Sequence, residues 1–390
     1  MALRDHCPAL AGKTYFNYGG QGPLPTPSLE AITATWRQIQ ELGPFTGDVW
    51  PLVERTTARL RLQLGHWFGV GSHRVAFSEN VTSGCVLPLW GLPWRAGDEL
   101  LISDCEHPGV VAACRELARR HGLSLANLPV ADLRGDAASA APAIQTRLEA
   151  ALTPHTRLVV LSHLLWNTGQ VMPIAAVAQQ LAAHPSQPYL LVDAAQSLGS
   201  MPVAEAAAAA DIYACTGHKW CCGPEGLGAM ALSERVLAES QPTLIGWRSL
   251  SQESEASSSF HADGRRFEVA TSCIPLFAGL QCSLALLEAE GSSDERLSTI
   301  THLSGQLWEG LQAIPAARTL LQDPPPAGLV SFTLKGSKPE AVVRQLGAQG
   351  IWVRSLDHPH CLRACTHIST TSEEIALLLE ALRKLDAEAA

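Results

Sequence analysis

At 390 residues, with 46% hydrophobic and 17% charged side chains, the chain can bury a large core and divide into two or three lobes. A net charge of −9 with no run of Lys or Arg argues against nucleic acid or an anionic membrane as partner and leaves small molecules or proteins. Eleven cysteines without a paired CxxC framework fit free thiols in a reducing compartment better than disulfides or structural zinc, and no metal is expected.

The opening segment, MALRDHCPAL, lacks the apolar core of a secretory signal, and longer apolar stretches are broken by charge, Gly or Pro. The expected location is the cytoplasm. From Arg74 to Ser233, short β-rich runs alternate with helical segments: RVAFS, DELLIS, RLVVLSH, YLLVDAA, DIYACTG and LGAMALS. That rhythm predicts an α/β fold with a mostly parallel sheet covered by helices on both faces, which is why LVVLS and YLLVD are continuously apolar. Ligands in such sheets gather at the strands' carboxyl ends. Beyond residue 240 the Ser-rich stretch SLSQESEASSSFHADGRR reads as an excursion over the surface or a subunit boundary. Helical patterns at 276–290 and 294–313, a break at DPPPAG, the runs GLVSFTLK, IWVR and CLRACTHIS, and helices near 338–349 and from 372 predict a smaller α+β lobe.

The segment AFSENVTSGC runs from a strand into a helix whose first turn holds Thr82 and Ser83. Free amides and two hydroxyls there can cradle a phosphate, although Ser and Thr at a helix start also serve as plain N-caps. No GxxxxGK[ST] or strand-borne GxGxxG occurs, so a nucleotide-binding reading loses its support. His107, after the β-like run LLISDCE, can stack on a flat cofactor or simply be a satisfied histidine. Asp193 ends the apolar run YLLVD, where a carboxylate needs a cation, a helix to cap or a metal. Lysine occurs at only five positions, 13, 219, 335, 338 and 384, and Lys219 alone sits among aromatic and apolar residues in TGHKWCCGPEGLG. Desolvation there would leave a neutral, nucleophilic amine; the bland alternative is a lysine snorkelling from a strand end.

Taken in order, these blocks resemble the class V aminotransferase family, the cysteine desulfurase-like group of fold-type I enzymes that depend on pyridoxal 5′-phosphate (PLP). TGHKWCCGPEGLG is similar to the family's S-G-H-K…G-P-x-G-x-G signature, and CEHPG, SHLLWNTG, VDAAQS, RRFEVAT and LRACTHISTTSEE follow in the family's order. The resemblance implies a large PLP-binding domain at 21–265 with a seven-stranded, mostly parallel sheet, and a small C-terminal domain at 266–390. Residues 1–20 would pack on the small domain. It further implies that Lys219 holds the cofactor covalently, Asp193 pairs with the pyridine nitrogen, His107 stacks on the ring and Gln196 bonds its phenolic oxygen. Thr82, Ser83, Thr216 and His218 would hold the phosphate, and Thr271 would reach the phosphate of a neighbouring subunit in a homodimer with shared sites. Asn167 and Gly19 would lie beside the substrate, whose α-carboxylate would pair with Arg363, a task suited to the guanidinium fork.

Cysteine desulfurases of the related subgroup carry a mobile cysteine in an R-x-G-x-H-C block. Here the matching stretch is WVRSLDHPHCLRAC, with Pro359 in the expected place and Cys361 two residues before Arg363. The blocks NVTSGC, LWNTGQ and LRACTH are similar to the cyanobacterial L-cysteine/L-cystine C–S lyase type. That likeness implies β-elimination from cystine or cysteine, giving pyruvate, ammonia and cysteine persulfide or sulfide, with an iron–sulfur assembly protein as a conceivable acceptor. Arg354 and Trp247 are candidates to hold the distal half of cystine. A cysteine desulfurase using Cys361, a class V aminotransferase, and a silent PLP-binding scaffold are the alternatives.

Overall fold

The computed structural model describes residues 2–135, 137–252, 259–269 and 271–389, so 253–258 of the Ser-rich stretch and Ala270 of FEVATS lie outside the described residues. Seven strands form the main sheet: β1 (Val75–Ser78), β2 (Glu99–Ser103), β3 (Ser124–Leu128), β4 (Thr156–Ser162), β5 (Tyr189–Asp193), β6 (Ile212–Thr216) and β7 (Gly228–Leu232). Their order is β1-β7-β6-β5-β4-β2-β3. Strand β7 runs antiparallel to β1 and β6, and every other neighbouring pair is parallel. The fold is thus the expected α/β arrangement of a fold-type I enzyme. Strand β3, SLANL, is an edge strand with mostly exposed residues, so it lacks the continuous apolar run that marks the strands buried on both faces.

Side chains alternate across each strand and feed two cores. Val159 and Leu161 of β4 join a core with Val53, Leu60 and Leu64 of the helix Trp50–Phe68, whereas Leu158 and Val160 join one with Val110, Cys114 and Leu117 of the helix Pro108–His121. The helix Ile274–Ala289 gives Ile274, Phe277, Leu280, Leu284 and Leu287 to the first of these cores. Packing therefore places that helix with the large sheet, and the separate small-domain core draws on Phe16 and on residues from Leu303 onward.

In the small domain, β8 (Ala317–Thr319), β9 (Leu329–Leu334), β10 (Arg354–Asp357) and β11 (His360–Cys365) form an antiparallel sheet in the order β8-β9-β11-β10. The N-terminal segment bridges both domains. Leu3, Cys7 and Leu10 enter the large-domain core, Phe16 enters the small-domain core, and Thr14–Tyr15 pairs in parallel with Ile351–Trp352. Arg4 makes a two-pronged ion pair with Glu374 on the last helix. A further apolar cluster of Tyr18, Trp220, Leu329 and Cys365 closes the seam between the domains. No helix among the described residues is long and apolar enough to cross a membrane.

Candidate active site

Strands β5 and β6 are parallel neighbours, so the residues at and just beyond their carboxyl ends meet. Asp193 is the last residue of β5, and Lys219 follows β6 by three positions. Both line a cavity of about 190 Å³ with Thr82, His107, Ser162, Trp166, Gln196 and His218. Burial holds the Lys219 amine down at about 8, against the pull of Asp193, and the charges of Arg363 and Arg354 add to the lowering. Burial also raises the Asp193 carboxyl, opposed by the Ala195 amide that it accepts at 2.9 Å and by Lys219 and His107. An amine whose pKa burial has lowered thus shares the cavity with a carboxylate that burial destabilises.

At one end of the cavity begins the helix Val81–Trp90. Asn80 caps it, its Oδ1 accepting the Ser83 amide at 3.0 Å, while the amides of Val81 and Thr82 have no acceptor within the helix. The cap is thus Asn80, which frees Thr82 and Ser83 from that duty. Thr216 Oγ1 and His218 Nδ1 are hydrogen-bonded at 2.7 Å beside this helix start, and burial lowers the His218 pKa. Amides, hydroxyls and an imidazole suit a phosphate.

His107 caps the helix Pro108–His121, its Nδ1 accepting the Gly109 amide at 3.2 Å, and burial lowers its pKa. Its ring therefore stands at the cavity wall in the neutral form. Gln196 donates one N–H to the Gly19 carbonyl at 3.0 Å and accepts from Trp220 Nε1 at 2.9 Å, which leaves its second N–H for the cavity.

Arg363 on β11 is only 2% exposed. It donates through Nη1 to the Trp166 carbonyl at 2.9 Å and through Nη2 to Asn17 Oδ1 at 3.5 Å, and its Nε has no partner. Gly19 packs on this guanidinium: a Cβ there would lie 3.0 Å from Arg363 Nη2 and 2.7 Å from Gln196 Oε1, so a side chain would displace one of them. Asn167 donates to the His358 carbonyl at 3.2 Å, and its buried Oδ1 has no partner. A buried guanidinium and an amide oxygen, both incompletely satisfied, are suited to an amino acid's carboxylate and ammonium groups. Arg354 stands opposite Arg363 in the β10–β11 register, on the same face of the sheet.

Of the candidate residues, Thr82, His107, Asp193, Gln196, His218 and Lys219 line the cavity itself, and Thr271 and Trp247 face other hollows in their own chain. Thr271 lines a separate hollow with Phe77 and Phe277. Trp247, 42% exposed, packs edge-on against Trp50 at 5.8 Å beside another hollow. Conversely, Ser162 and Trp166 line the cavity, and Trp220 holds Gln196, although their residue types gave no signal.

The model of the family described as aminotransferase class-V matches residues 52–378. The chain belongs to that family, and it is a PLP-dependent enzyme.

Among individual proteins, the solved structure of a point mutant of C-DES, with glycine covalently linked to its PLP cofactor, is 42% identical at a TM-score of 0.92, covering 98% of this chain and 99% of that one. A second structure, the cystine C–S lyase C-DES with its product cysteine persulfide, is 42% identical at a TM-score of 0.91, covering 96% and 98%. A probable cysteine desulfurase of Methanothermobacter thermautotrophicus is 27% identical over 98% of this chain and 97% of its own length. An isopenicillin N epimerase of Streptomyces clavuligerus is 29% identical over 95% and 94%. The residues present fit PLP: a buried amine of lowered pKa, a carboxylate wanting a cation, an imidazole at the cavity wall and a helix start wanting an anion.

Proposed function

We propose that this enzyme is a carbon–sulfur lyase that performs β-elimination on L-cystine, releasing cysteine persulfide, pyruvate and ammonia. The observation that carries the reading is the state of Cys361. Its thiol is buried within the small-domain sheet, and burial pushes its pKa up to about 11, although the Arg363 charge lowers it. A thiol so protonated is a poor nucleophile for substrate sulfur. Cys105, pushed up to about 12, and Cys365, also raised, are buried as well. Elimination needs no such thiol. The 42% identity to C-DES supports the same reading.

When bound, PLP supplies an electron sink conjugated with the amino acid's Cα. Asp193 would hold the pyridine nitrogen cationic, His107 would pack on the ring, Gln196 would bond the phenolic oxygen, and Thr82, Ser83, Thr216 and His218 would hold the phosphate. Arg363 would fix the α-carboxylate, with Asn167 and Gly19 beside it, and so present the Cα hydrogen to Lys219. The Lys219 amine would take that proton, and the Cβ–S bond would break with the electron pair leaving on the persulfide sulfur. Arg354 would take the distal carboxylate of cystine. Since Thr271 and Trp247 lie outside the cavity of their own chain, we place them at a neighbouring chain's site in a homodimer. The persulfide would be a sulfur source for an iron–sulfur assembly protein in the cytoplasm.

Cys361→Ala tests the choice between lyase and desulfurase. The variant is expected to form pyruvate from cystine within about twofold of the wild-type rate, because the thiol takes no part in elimination. A loss on the order of a hundredfold or more, with alanine as the wild-type product, would instead establish Cys361 as the sulfur acceptor.

A further inference from the structure

Glu106 is a buried carboxylate beside the site that the lyase reading leaves without a role. It is 6% exposed, and it precedes His107 in the loop between β2 and the next helix. Its Oε1 accepts the Ser103 hydroxyl at 2.6 Å and the Ser162 amide at 2.7 Å, and its Oε2 accepts the Ser162 hydroxyl at 2.8 Å. Ser103 ends β2 and Ser162 ends β4, its sheet neighbour. Ser162 in turn stands opposite Asp193 in the β4–β5 register and lines the cavity. One side chain thus ties the end of β2, from which the His107 loop leaves, to the end of β4, whose Ser162 stands beside Asp193.

We propose that Glu106 is a positioning residue for the cofactor ring: by joining Ser103 to Ser162 it fixes the His107 loop relative to Asp193, and so sets the width and tilt of the slot that the ring enters. Three donors converge on this carboxylate, and an apolar residue would leave those buried donors unpaired. Hydrogen-bonding partners that orient a binding group are commonly as influential as the group itself. Burial pushes the Glu106 carboxyl up to about 7, with Asp193 adding to the rise and the serine bonds opposing it.

The proposal rests on the PLP-enzyme reading, and its test is read from cofactor binding, so it can fail separately from the choice of substrate. Wild type, Glu106→Gln, Glu106→Ala and Ser103→Ala are prepared without cofactor and titrated with PLP, following tryptophan quenching and the circular dichroism induced in the cofactor's visible band. Glutamine can keep all three bonds, its oxygen accepting from Ser103 and the Ser162 amide and its N–H₂ donating to the Ser162 hydroxyl. The expected result is a wild-type dichroic band and a Kd within about threefold for Glu106→Gln, against a Kd raised on the order of tenfold or more with a diminished band for Glu106→Ala. Ser103→Ala removes one tie without touching the cavity lining and is expected to raise Kd several-fold, which keeps the proposal testable if Glu106→Ala does not fold. An unaltered band and Kd in Glu106→Ala or Ser103→Ala overturns it, as does a glutamine variant as impaired as alanine. Wild-type protein that binds PLP yet forms no pyruvate from cystine would overturn the lyase reading alone.

Discussion

Lys219→Ala is expected to lower pyruvate formation from cystine by about 10³-fold or more, the largest loss of any single substitution in this site. Two functions disappear with one amine: covalent retention of the cofactor, and the base that takes the Cα proton, a role that by itself is typically worth 10²–10⁴-fold. No neighbour can substitute. His107 spends its Nδ1 lone pair on Gly109, and His218 is engaged with Thr216. Because burial holds the Lys219 amine at about 8, roughly a quarter of it is neutral near pH 7.5, against about a thousandth for an unperturbed lysine. The check is a coupled pyruvate assay together with intact mass after borohydride reduction, where wild type retains PLP and the variant does not. Wild-type turnover by Lys219→Ala would end the mechanism proposed here.

Asp193→Asn has the second-largest expected effect, and it separates catalysis from stability. The amide can still accept the Ala195 N–H, now at 2.9 Å from Oδ1, so the loop after β5 keeps its shape. What is lost is the charge opposite the cofactor nitrogen. Breaking a buried ion pair by neutralising one partner costs about 3 kcal/mol or more, roughly a hundredfold in turnover. In the cofactor-free protein the sign reverses. Burial raises the Asp193 carboxyl pKa, so ionising it above that pKa costs stability that a neutral amide does not. Thermal unfolding at pH 7.5 should therefore show cofactor-free Asp193→Asn at least as stable as wild type, while added PLP stabilises the variant less. A cofactor-free variant that melts well below wild type, or one that turns over at the wild-type rate, would contradict this account of Asp193.

Much of the architecture was legible because parallel strands buried on both faces spell themselves out as apolar runs, as RLVVLSH and YLLVDAA do. The edge strand SLANL, exposed along most of its length, left no such trace. Lys219 and Asp193 were legible for the same reason: each is a charged residue at the end of an apolar run, where burial without a partner is costly. The helix Ile274–Ala289 was harder to assign to a domain. Its buried residues define a core-facing helix whichever sheet it covers, and only tertiary packing shows that it covers the large one. Glu106 was hidden by its partners, since Ser103 and Ser162 lie 3 and 56 residues away and meet it only once β2 and β4 are neighbours.

Product analysis after incubating PLP-loaded protein with L-cystine tests the central claim most directly. The account predicts one pyruvate, one ammonia and one cysteine persulfide for each cystine consumed, with no alanine. Alanine as the carbon product, or an intact pool of cystine in the presence of bound PLP, would contradict it.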